Sequence, residues 1–137
     1  MIPWCLGLLL SVITMAQQNP RLELDAVRSP DGHKLILSVT NTSDQPLPFR
    51  FNSGQTYDFI IVNPATGREV WKWSRERFFT QAIRNENLPA KSSWKFEVEW
   101  NHLDDDSKPV SPGNYRVTAV LTSQPPLAPD PIALKID

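Results

Sequence analysis

The side chains able to do chemistry are few and scattered. Asp58 is a lone carboxylate between Tyr57 and Phe59. General acid–base or nucleophilic catalysis needs a second group within hydrogen-bond reach, and neither a histidine nor another acid stands near Asp58 in sequence. Asp58 therefore reads as a structural carboxylate, accepting backbone amides or a Trp indole N–H. The two histidines, His33 and His102, fall in or beside turns and are predicted to be solvated; two imidazoles with no cysteine nearby make a poor metal site. Asp104 and Asp106 sit at the alternate spacing of a calcium loop, but no Gly or Glu follows where such a loop needs them, so the segment reads as a solvated turn. Phosphate-cradling glycine motifs, HExxH and GxSxG do not occur in the chain. No catalytic residue, metal ligand or cofactor is assigned, and the chain is read as a non-enzyme.

One run is dense in another kind of chemistry. Lys72, Trp73, Arg75, Arg77, Phe78, Phe79 and Gln81 interleave cationic and aromatic side chains, the residue types that anchor protein interfaces. Such interleaving also suits single-stranded nucleic acid, but a net charge of −1 argues against a polyanionic partner. These seven are the partner-binding candidates. Residues 101–112, braced by prolines, form a second candidate loop. Trp71 and Trp73 discriminate two uses: an exposed pair would be a ligand platform, a buried pair a signature of the fold.

The elements that must position these residues read as β-strands. Thirteen prolines against five glycines suit short strands between turns better than helices. Alternating apolar residues mark strands at 21–28, 33–41, 47–51, 56–63, 69–74, 94–100, 115–121 and 132–136. In the fourth, both faces are largely apolar, which marks a central strand. Ser29-Pro30-Asp31-Gly32 predicts a turn with Gly32 supplying a positive φ. Asn41-Thr42-Ser43 is a glycosylation sequon on a polar loop. Residues 75–93 show no clear alternation, and Arg75 to Gln81 are expected to form a helical turn or an irregular crossover between sheets. About seven to eight strands at this spacing predict an all-β, antiparallel sandwich.

Residues 1–16 read as a signal peptide: an apolar run from Leu6 to Ile13 precedes Thr14-Met15-Ala16, with cleavage expected after Ala16. Cys5 lies inside it, leaving residues 17–137 as a single domain without cysteine, hence without a disulfide or thiol nucleophile. The expected location is exported, periplasmic or secreted, with no membrane insertion once the signal is removed.

Ser53, Gly54, Gln55, Tyr57, Asp58 and Phe59, followed by Gly67, Val70, Trp71, Trp73 and Ser74 and then by Phe79 and Gln81, form a pattern that resembles the BsuPI family, named for an intracellular proteinase inhibitor of bacilli. Trp100, Asp104, Pro109, Val110, Pro112, Gly113 and Tyr115 extend the resemblance to nearly the whole predicted domain. The resemblance implies an immunoglobulin-like β-sandwich and non-covalent inhibition of a serine protease through a loop. The alternative is an exported immunoglobulin-like module that binds an envelope protein or glycan without inhibiting anything.

Overall fold

The computed structural model describes residues 19–137; the signal-peptide reading of residues 1–16 lies outside them. Nine antiparallel strands, and no helix among the described residues, run as β1 (Arg21–Ser29), β2 (Gly32–Thr40), β3 (Leu47–Phe51), β4 (Tyr57–Asn63), β5 (Arg68–Lys72), β6 (Arg84–Leu88), β7 (Ser93–Trp100), β8 (Gly113–Leu121) and β9 (Ile132–Ile136). They form a three-stranded sheet ordered β1-β2-β7, a four-stranded sheet ordered β5-β4-β8-β9, and a separate β3-β6 pair. The arrangement is the expected all-β, immunoglobulin-like sandwich, with β6 as one strand more than the alternation revealed.

Period-2 alternation decides what goes inside. Leu35, Leu37 and Val39 of β2, Val98 and Trp100 of β7, Phe59 and Ile61 of β4, and Tyr115, Val117, Ala119 and Leu121 of β8 are buried together. Aromatic pairs tie one layer to the other. Tyr57 stacks on Phe96 with ring centroids 4.9 Å apart, Trp71 meets Trp100 at 6.1 Å, and Phe49 meets Trp94 at 5.2 Å. Such pairs add about 0.5–1.5 kcal/mol each beyond the area they bury. β4 is central, flanked by β5 and β8.

Three local readings of the sequence are corrected. Gly32 does not supply a positive φ; among the described residues the positions that do are the glycines Gly67 and Gly113, with Lys91, His102 and Ser107 elsewhere. What Gly32 provides is space, because a Cβ there would lie 2.0 Å from the Trp100 carbonyl oxygen. Asn41 is fully buried: its Nδ2 donates to the carbonyls of Gln45, Leu88 and Pro89, and its Oδ1 accepts from the Ser43 amide and hydroxyl. The sequon is a strut between loops, and its amide is not presented for modification.

The third correction concerns the histidines. β2 pairs with β7 so that His33 faces Trp100, which brings His102 back against it. His33 Nδ1 and His102 Nε2 are 2.7 Å apart, a hydrogen bond in which one imidazole donates and the other accepts. His33 is only 6% exposed, so neither ring is the freely solvated side chain expected. Trp100 covers His102 edge-to-face at 5.0 Å. Arg28 lies opposite His33 on β1 and is itself paired with Asp137 at 3.7 Å. Burial, and then the Arg28 charge, push the His33 pKa below its ordinary value; burial, then His33 and Arg28, do the same to His102.

The sign of the pH effect follows. An imidazole that is harder to protonate folded than unfolded stabilises the fold above its unfolded pKa of about 6.5 and loses that contribution as pH falls through the depressed folded value. A doubly protonated pair would also set two N–H groups face to face. Urea midpoints are expected to fall between pH 8 and 5.5, and His102→Asn, which tolerates the left-handed backbone at that position, should flatten the fall. An unchanged slope in His102→Asn would contradict this role.

Candidate functional site

The chain leaves β5 at Lys72 and crosses to β6 at Arg84. Residues 73–76 form a turn, and no helix or strand follows until β6. This segment carries six of the seven candidates, and the two ends of its first half are fixed.

At the near end the buried Asp58 carboxylate, 4% exposed, reaches across from β4. Its Oδ1 accepts the Phe59 amide at 2.9 Å and the Ser74 amide at 3.1 Å, and its Oδ2 accepts the Ser74 hydroxyl at 2.5 Å. Full partnering offsets the desolvation that burying a carboxylate incurs. The Trp73 amide donates to the Phe59 carbonyl at 2.9 Å. Trp73 thereby lands flat on Tyr57, with ring centroids 4.7 Å apart.

At the far end the Gly54 amide donates to the Thr80 carbonyl at 2.8 Å. A Cβ on Gly54 would lie 2.7 Å from Thr80 Oγ1, so glycine allows this close approach. The turn around Gly54 is itself held: Ser53 Oγ accepts the Gln55 amide, and Gln55 Nε2 donates to the Tyr57 carbonyl. Arg84 donates to the carbonyls of Ser53 and Gln55 and to the Thr56 hydroxyl, with its guanidinium 4.6 Å above the Phe51 ring.

The candidates divide on this frame. Lys72 is a half-buried residue of β5 whose amide donates to Asp105 Oδ1 at 3.2 Å. Arg75 is paired with Glu69, and its Nε with Asp105 Oδ2 at 2.6 Å; those carboxylates, Asp105 foremost, raise its pKa above the ordinary guanidinium value. Arg77 folds back, its Nε donating to the Trp73 carbonyl at 3.0 Å and its guanidinium lying 4.4 Å over the Trp73 ring. Phe79 is half-buried, 6.0 Å from that ring. Phe78 is fully exposed, and Gln81 is exposed.

The second loop, residues 101–112, is a buttress. The Trp100 indole donates to the Leu103 carbonyl, Tyr115 donates to the Ser111 carbonyl at 2.6 Å, and Asp105 ties the loop to Lys72 and Arg75. Asp104 Oδ1 accepts the Asp106 and Lys108 amides, each at 2.9 Å, closing a turn on itself. Among the described residues no cluster of three or more His, Cys, Asp or Glu is placed to hold a metal ion. Trp71 and Trp73 are both half-buried, one against Trp100 and the other between Tyr57 and Arg77, so they do not form an exposed platform. The anchoring roles of Glu69, Arg84 and Asp105 had no signal in the sequence, since each depends on which strands become neighbours.

Among the described residues no helix is long and apolar enough to cross a membrane. No curated protein sequence matches the chain. A mutant (D270A) β-glucosidase from Listeria innocua, solved with laminaribiose, is similar to it at 16% identity with a TM-score of 0.43; the match covers 86% of this chain but 16% of that one. A family model described as BsuPI, intracellular proteinase inhibitor, matches residues 20–126. That description overturns the exported, periplasmic or secreted location expected from the apolar N-terminus, because the family is named for an intracellular role. With the match spanning well over half of its length and containing every residue of the site, the chain belongs to the BsuPI intracellular proteinase inhibitor family.

Proposed function

We propose that this protein inhibits a serine protease non-covalently, by inserting the loop of residues 73–80 into the active-site cleft. Family membership supports a protease as the partner. The observation that carries the loop assignment is the fixing of both loop ends, at Ser74 by Asp58 and at Thr80 by Gly54, around an exposed middle. A loop already ordered before it binds loses little conformational entropy on docking, and an ordered loop is also a poor fit to the deformations that proteolysis requires. The two ion pairs of Arg75 and the seat of Trp73 on Tyr57 add stiffness on the side facing β5.

Titration of the purified protein against subtilisin-type, chymotrypsin-type and trypsin-type enzymes should show stoichiometric, reversible loss of activity for at least one of them. Absence of inhibition at micromolar excess over all three would contradict the proposal. Loop stiffness makes a separate demand. Asp58→Ala leaves the Ser74 hydroxyl and amide without their acceptor, which should lower stability by about 1–3 kcal/mol and weaken inhibition by roughly tenfold through lost preorganisation. Asp58→Asn keeps one carbonyl oxygen for the amides and should be milder in both respects. A folded Asp58→Ala protein that inhibits as tightly as the wild type would show that the loop does not need this support.

A further inference from the structure

The loop offers a protease five side chains of the kind that fill a primary specificity pocket: Trp73, Arg75, Arg77, Phe78 and Phe79. Four are already committed to this chain. Trp73 is stacked on Tyr57, Arg75 is bound to Asp105 and Glu69, Arg77 lies on Trp73 and donates to its carbonyl, and Phe79 is half-buried beside the same ring. Phe78 is 100% exposed, between two residues that both pack against Trp73. Building on the loop-insertion reading, we infer that Phe78 is the residue that enters the specificity pocket, so that the partner is a serine protease with a deep apolar pocket.

The candidate side chains differ in what each would lose on entering a pocket. Moving Arg77 or Arg75 into a pocket would break its contacts within the loop and loosen the segment that has to stay stiff. Phe78 has no such contacts to give up, and a phenyl ring gains the whole of its burial on binding. The packing of Arg77 and Phe79 on Trp73 holds the chain on either side of it, so that binding has to order only the Phe78 side chain itself. Pocket chemistry then selects the enzyme. An acid-floored pocket of the trypsin type favours a cation, whereas a hydrophobic slot of the chymotrypsin type favours an aromatic ring.

Chymotrypsin and trypsin share their catalytic machinery and differ in this pocket, which makes them a matched pair of probes. The inhibition constant of the wild type should be at least about 30-fold lower for chymotrypsin than for trypsin, and Phe78→Ala should weaken chymotrypsin inhibition by about 30-fold or more. Because the side chain is fully exposed, the urea midpoint of Phe78→Ala should not move. Phe78→Arg should exchange the preference, gaining on trypsin what it loses on chymotrypsin. Tighter inhibition of trypsin by the wild type, or unaltered chymotrypsin inhibition by Phe78→Ala, would overturn the assignment of Phe78 while leaving protease inhibition standing. Failure of the wild type to inhibit either of these two enzymes would overturn the Phe78 assignment, and failure against a subtilisin-type enzyme as well would overturn protease inhibition itself.

Discussion

A single buried carboxylate sets the geometry on which the loop depends. Asp58 sits on the central strand β4 and accepts three hydrogen bonds, two of them from Ser74 at the start of the 73–80 loop. A carboxylate in this position has to be partnered, because an unpaired buried charge costs several kcal/mol. Ser74 is therefore drawn against β4, and Trp73 is drawn with it onto Tyr57, which also stacks on Phe96 of the facing sheet. A polar requirement of one residue is thus converted into an aromatic stack that reaches across the sandwich. Arg77 then rests on the outer side of Trp73. The cationic and aromatic residues of the run are in this way sorted into those that hold the loop and the one that projects from it.

The family pattern acquires a physical meaning in these terms. Ser53, Gly54 and Gln55 build a turn whose amide grips Thr80, with Gly54 leaving room for the Thr80 hydroxyl. Tyr57, Asp58, Trp73, Ser74 and Phe79 build the other side of the same seat. Trp100 and Tyr115, from the later part of the pattern, brace the 101–112 loop, and Asp105 of that loop pairs with Arg75. Much of what looks like a fold signature also shapes one loop. The proposed inhibition would need a loop held more firmly than its own sequence would hold it, and these contacts would meet that need.

Much of this fold was readable from residue order alone. Alternation placed eight strands because each buries one face, and two-sided apolarity marked β4 as central. β6 escaped because Arg-Asn-Glu-Asn-Leu buries only Leu88 fully; it pairs with β3 alone, outside the two main sheets, and has no core face to write into its sequence. The site was half legible. The cluster from Lys72 to Gln81 was visible as composition, and Asp58 as an acid without a catalytic companion. Which of the clustered side chains stays exposed was not, because that depends on Asp105 and Glu69 reaching Arg75 and on the Trp73 ring accepting Arg77. The His33–His102 pair was hidden for the same reason, its members being 69 positions apart and joined only through the register of β2 on β7.

The 73–80 loop is fixed at both ends and exposed in its middle before any partner arrives, and residue-resolved amide hydrogen exchange on the isolated protein reads this out. The Ser74 amide, held by Asp58, and the Gly54 amide, held by the Thr80 carbonyl, should exchange slowly, at rates approaching those of core amides in β4, while Phe78 exchanges fast. Exchange at Ser74 and Gly54 as fast as at Phe78 would mean that the whole segment detaches from the sandwich and that Asp58 and Gly54 do not hold the loop.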